Sequence, residues 1–168
     1  MVAGRSLEGS QDLVVEALRL VLNRRPVELF AYAVHPDGYT LLVRALDDRL
    51  PAVVRDLNSR VARRLNERAG ATGGLWAGRA TYRSMRHHPA AVAALVDTLV
   101  EPVVRGEVDH PSESMSGSYR ALVLRRPDAV PHAVLPWFGT MDDATVARRV
   151  EGAVSARLTA LRAWSLAG

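Results

Sequence analysis

The sequence predicts an α+β fold: a ferredoxin-like antiparallel sheet with helices packed on one face, plus a C-terminal helical extension. Two apolar runs, residues 27–34 and 39–46, flank Pro36-Asp37-Gly38. Proline presets one backbone dihedral and glycine accepts positive φ, so this tripeptide marks a turn and the two runs read as a hairpin. The stretches on either side of the hairpin, and a long stretch at the end of the chain, repeat apolar residues at the helical period. Locally paired strands between amphipathic helices give an antiparallel sheet covered by helices.

In chain order, residues 1–10 carry no periodicity and read as a flexible lead-in. Ser10 can cap a helix over 11–24, where Leu13, Val14, Ala17, Leu18 and Val21 share a face and Pro26 stops it. After the hairpin, Leu50, Val53, Val54, Leu57, Val61 and Leu65 form the apolar stripe of a helix over 50–68. Arg55, Arg60 and Arg63 fall on its far side, with Arg64 at the margin. Glycine-rich residues 69–74 read as a loop and residues 79–86 as a strand. Pro89 suits the first turn of a helix over 89–101. Residues 106–118, rich in Ser, Gly and Pro, read as a loop, 118–123 as a short helix and 127–136 as irregular. A last helix over 142–164 carries Val146, Val150, Val154, Leu158 and Leu161 on one face. There is no internal repeat. The expected organisation is a lead-in (1–10), one α+β domain (11–140) and a C-terminal helix (141–168). A ferredoxin-like core needs one more strand before the first helix, and residues 1–9, with two glycines and two charges, make a poor one.

A chain of 168 residues suits one domain. At 48% hydrophobic and 24% charged residues, its composition is that of an ordinary globular protein. No apolar run approaches the roughly 20 residues of a membrane span, and the N-terminus has no apolar signal core. No membrane partner and a cytoplasmic location are therefore expected. The absence of cysteine excludes disulfides, thiolate zinc sites and cysteine nucleophiles. All 22 basic residues are arginine, against 18 acidic ones, for a net charge of +4. Codon bias in a GC-rich genome accounts for arginine over lysine. Arginine forks also pair with phosphates and stack on bases, so where the arginines lie matters more than the surplus.

Five blocks, in order, point further. The hairpin reads A-Y-A-V-H-P-D-G-Y-T-L-L-V. Arg64-Leu-Asn-Glu-Arg68 leads to Gly74-Leu-Trp-Ala-Gly-Arg79. The helix over 89–101 ends in L-V-E-P-V-V-R-G, Gly117-Ser-Tyr-Arg-Ala121 follows, and Leu135-Pro-Trp-Phe-Gly139 precedes an arginine-bearing helix. This series resembles the REP-associated tyrosine transposases, relatives of the small single-tyrosine insertion-sequence transposases. Their corresponding blocks read A-Y-V-x-M-P-N-H-x-H-L-L-V, R-x-x-N-R followed by G-x-L-W-Q-G-R-F, R-Y-I-E-L-N-P-V-R-A-G, W-S-S-Y-R-A and L-x-x-F-G. The likeness covers roughly residues 12 to 150.

The resemblance implies a chemistry and shows where this chain departs from it. In the family, a tyrosine attacks a DNA phosphate that is polarised by a divalent metal such as magnesium or manganese. Two hairpin histidines and a polar residue one helical turn after the tyrosine hold that metal. The histidine positions are Gly38 and Thr40, the tyrosine position is Asp97 and the polar position is Glu101. Gly38 offers no side chain, Thr40 is a poor metal ligand, and Asp97 would repel a phosphate as well as fail to attack it. The expectation is loss of strand cleavage, with no catalytic residue and no cofactor. The alternative is a rebuilt carboxylate metal site drawn from His35, Asp37, Asp97 and Glu101, against which Pro36 and the turn are expected to aim His35 elsewhere. Strand alternation turns Tyr39 to the opposite sheet face, as a packing residue. Tyr82 and Tyr119 read as structural. His87 and His88 diverge by about 100° on a helix and read as a solvated pair.

DNA binding survives these departures. Trp76 sits in a glycine-rich stretch between Arg64/Arg68 and Arg79/Arg83/Arg86, an arrangement that grips backbone and stacks an unpaired base. The expected nucleic-acid-binding set is Arg55, Arg60, Arg63, Arg64, Trp76, Arg79, Arg83 and Arg86, and the expected partner is hairpin or single-stranded DNA. The plainer alternative makes Trp76 a core anchor and the arginines a solvated face. A different function on the same fold is a protein-interaction or dimerisation module, with the C-terminal helix and Trp164 as its surface and a homodimer as a possible form.

Overall fold

The computed structural model describes residues 5–47, 49–127 and 130–166. Its elements are α1 (Gln11–Leu22), β1 (Val27–His35), β2 (Gly38–Ala45), α2 (Leu50–Ala69), α3 (His88–Val104), α4 (Tyr119–Leu122) and α5 (Asp143–Leu166), with single 3₁₀ turns at Pro111–Glu113 and Pro136–Phe138. The α+β class, the hairpin and every predicted helix are present.

β1 and β2 pair antiparallel through a two-residue turn, His35 opposite Gly38 and Ala33 opposite Thr40, with a register break between Leu29 and Ala31. Successive strand residues point to opposite faces, and β1 is buried on both. Leu29, Tyr32 and Val34 join a core with Val14, Leu18 and Val21 of α1 and Val53, Leu57 and Val61 of α2. Phe30 and Ala31 join a second core with Leu95, Leu99 and Val100 of α3 and Val150, Val154 and Leu158 of α5. Helices thus cover both faces of the hairpin, where the periodicity alone predicts one: α3 and α5 carry apolar stripes of their own, and the second sheet face is the surface left to bury them.

The predicted strand over 79–86 does not form. Its sequence, Arg79-Ala-Thr-Tyr-Arg-Ser-Met-Arg86, lacks an apolar alternation. Among the described residues no backbone hydrogen bond ties it to β2, and it runs exposed from the loop to α3. Instead, the outer edge of β1 bonds to a later loop: Val34 N–H to Ser116 O at 2.8 Å, Ser118 N–H to Tyr32 O at 3.0 Å and Ala133 N–H to Leu29 O at 2.7 Å. The Ser118 hydroxyl, fully buried, accepts the Tyr32 N–H at 2.8 Å and meets His132 Nε2 at 2.7 Å.

The lead-in is also more ordered than expected over its described part. Leu7 is buried in the first core, and its N–H donates to Pro36 O. The rest of the predicted lead-in, residues 1–4, lies outside the described residues. α3 runs through Pro102 to Val104, three residues past the predicted end.

Candidate functional site

The hairpin turn and the second half of α3 meet through His35, Asp37, Glu101 and Arg105, beside Gly38, Thr40 and Asp97, the positions at which the resemblance implies a lost catalytic centre. Residues directly opposite in an antiparallel ladder share a face, so His35, Gly38, Ala33 and Thr40 all look the same way. His35 is therefore not aimed elsewhere: its Nε2 lies 3.5 Å from Glu101 Oε1, and its Nδ1 pairs with Asp37 Oδ1. The signal was available in the sequence, because a two-residue turn places the residue before Pro36 opposite Gly38.

Arg105, one turn after Glu101, closes the cluster. Its Nη1 donates to Asp37 at 2.8 and 3.1 Å, and its Nε donates to Glu101 at 3.0 Å. Burial pushes the His35 pKa below its usual value, and Arg105 adds to this against the pull of the Asp37 hydrogen bond and the Glu101 charge. For Asp37, partial burial acts upward, but the bonds from His35 and Arg105 outweigh it and hold the carboxyl below the usual range. Two carboxylates and one guanidinium around the imidazole make a hydrogen-bonded strut between turn and helix.

Asp97 is one turn earlier on α3, and its carboxylate accepts from Arg157 Nε of α5 at 3.0 Å. The structure thus brings His35, Asp37 and Glu101 together and leaves Asp97 engaged with another helix. These residues do not fit the family's metal. Gly38 has no donor, Thr40 offers only a hydroxyl, and the cationic position between Asp37 and Glu101 is taken by Arg105. No group of three or more His, Asp or Glu suited to a metal ion occurs among the described residues. His87 and His88 are exposed at the start of α3.

Tyr39 faces the first core, as strand alternation predicts. It is buried, donates to Asn58 Oδ1 at 2.6 Å, and burial raises its pKa well above that of a free phenol. Trp76 belongs to the same cluster. Its Nε1 donates to Asn58 O at 3.0 Å, and its ring stands edge-on to Tyr39 at 5.5 Å. That geometry is of a half-buried anchor fixing the loop after α2, not of an open stacking ring. Tyr119 is buried, whereas Tyr82 is 52% exposed.

The candidate arginines fall into two groups. Arg60 pairs with Asp56 at 2.9 Å and Arg64 with Glu16 of α1 at 3.0 Å; Arg68 pairs with Asp12 of α1 at 2.8 Å. Arg64 and Arg68 are clamps between α1 and α2. Arg55, Arg63, Arg79, Arg83 and Arg86 are exposed and make no ion pair among the described residues.

A cleft of about 1070 Å³ is lined by Arg83 of this second group. Its walls are residues 39–44 of β2, residues 80–85, the first turns of α2 and Ala94, Asp97, Thr98 and Glu101 of α3. The two carboxylates that reach it are the ones neutralised by Arg157 and Arg105.

No family model matches the chain, and no curated protein matches it. Among solved structures, it is similar to a REP-associated tyrosine transposase bound to a REP hairpin, with a TM-score of 0.63 and 20% identity over 80% of this chain and 84% of that one. At that identity the likeness establishes the fold: this chain has the α+β architecture of that transposase.

Proposed function

We propose that this protein is a transposase-like DNA-binding protein that grips hairpin or single-stranded DNA and does not cleave it. The observation that carries the reading is the pairing of a shared fold with a rewritten centre. A solved structure with this fold is a transposase bound to a REP hairpin. In this chain the positions that would supply metal ligands and nucleophile are Gly38, Thr40 and Asp97, and Arg105 bonds to both carboxylates of the turn–helix cluster. A guanidinium fixed between two carboxylates occupies the oxygens that a divalent ion would bind, and it offers no Lewis acid to polarise a phosphate.

Binding needs none of those groups. The five unpaired arginines provide forks for phosphate oxygens, and the cleft beside residues 80–85 has its acidic groups neutralised. Incubation of labelled hairpin and single-stranded DNA with the protein and millimolar magnesium or manganese should give no shortened strand and no covalent protein–DNA adduct. Metal-dependent cleavage would overturn this reading in favour of a rebuilt site.

A protein-interaction or dimerisation module is the second reading. It rests on Trp164, 81% exposed near the end of the 24-residue α5. A concentration-independent monomer mass in sedimentation would count against a dimer.

A further inference from the structure

Of the described aromatic rings, most are committed to the interior. Tyr32, Tyr39, Tyr119, Phe30 and Phe138 are buried, and Trp76 is tied to Asn58 and Tyr39. Trp164 is exposed but lies at the far end of α5. Tyr82 differs: its ring is 52% exposed, it lines the cleft between β2 and α3, and its neighbours Arg79, Arg83 and Arg86 are exposed without ion pairs. A single exposed tyrosine is ordinary on a protein surface. A tyrosine at the rim of a cleft, centred among three uncommitted arginines on a segment with no backbone ladder, is not explained by packing or by the hairpin.

We infer that Tyr82 is the platform on which an unpaired DNA base stacks, while Arg79, Arg83 and Arg86 hold the flanking phosphates. The inference rests on the DNA-binding reading above and assigns its contact to a ring other than Trp76. Stacking on an aromatic face is open to every base, because every base has a π-face, so the site selects unpaired nucleotides rather than a sequence. The absence of ladder hydrogen bonds over 79–86 lets the segment adjust to a strand without breaking a sheet. Arginines on both sides of the ring supply the salt-dependent part of the affinity, and the ring supplies a part that salt does not screen.

The test is fluorescence anisotropy on two labelled hairpins with the same stem, one carrying unpaired bases and one fully paired, using wild type, Tyr82→Ala and Tyr82→Phe. Tyr82→Ala should weaken binding to the hairpin with unpaired bases by about 5- to 150-fold, the range that one lost stacking contact implies. It should leave the paired hairpin within about twofold and keep the salt slope. Tyr82→Phe should retain wild-type affinity, since the face of the ring does the work. Wild-type affinity in Tyr82→Ala, or equal weakening on both hairpins, would overturn the assignment of Tyr82 and leave the DNA-binding reading standing. Failure of the wild-type protein to bind either hairpin would overturn both.

Discussion

Arg105 adds to the effect of burial in holding the His35 pKa down. It is the one cation among the groups around the imidazole, which also include Asp37 and Glu101. Arg105→Ala removes a group that lowers the His35 pKa and leaves two that raise it. The His35 pKa should therefore rise in the variant, as read from its imidazole resonances in a pH titration; an unchanged value would contradict the strut. The sign for stability follows from linkage. His35 has a folded pKa below its ordinary 6.5, so the unfolded chain binds the extra proton first as pH falls. Its contribution is present above about pH 6.5 and is lost as pH falls through the folded value. Asp37, held below 3.8, acts in the same direction at lower pH. Thermal unfolding should occur at lower temperature at pH 5 than at pH 7.5, and His35→Gln should flatten that difference. At this scale the sequence makes the missing groups plain, because Gly38, Thr40 and Asp97 are read off directly. It does not reveal Arg105: nothing in a string of letters says that an arginine one helical turn after Glu101 reaches across to Asp37.

The helices are legible in the sequence because their buried stripes are long and regular. α2 buries Val53, Leu57, Val61 and Leu65 at helical spacing, as the pattern requires. Segment 79–86 is misread because β-propensity depends on a neighbouring edge with which to pair, and among the described residues no backbone hydrogen bond joins this segment to β2. The arginines of α2 divide for a similar reason. Periodicity places Arg60, Arg63 and Arg64 on one side or its margin, but only the fold shows that α1 presents Glu16 and Asp12 to Arg64 and Arg68. These exposed pairs are screened by solvent and salt and contribute little to stability. Arg64→Ala with Arg68→Ala should thus lower stability slightly and leave DNA affinity within a few-fold. Arg79→Ala with Arg83→Ala and Arg86→Ala should leave the melting temperature near wild type and abolish most binding at moderate salt. The slope of log affinity against log salt should fall by about 0.7 to 0.9 per contact removed. The reverse pattern in anisotropy and melting would place the DNA on the α1–α2 side.

Two cores share one hairpin, and the cleft is lined by residues of β2, α2 and α3 that those cores hold in place. The class of fold is readable from alternating apolar runs. The division into two cores is not, because a strand buried on both faces looks in sequence like any apolar run. The net charge of +4 is a modest surplus, and carboxylates pair with Arg60, Arg64, Arg68, Arg105 and Arg157 but, among the described residues, not with Arg55, Arg63 or the arginines of 79–86. No helix among the described residues is long and apolar enough to cross a membrane. That this fold recognises hairpin DNA is tested most directly by one binding measurement. Anisotropy of a labelled imperfect DNA hairpin and of an unstructured single strand of equal length should be followed at two salt concentrations. Tight binding that prefers the hairpin and weakens steeply but measurably with salt is expected. Weak binding that does not distinguish the two DNAs and vanishes in salt would contradict it, leaving the arginines as a charged surface only.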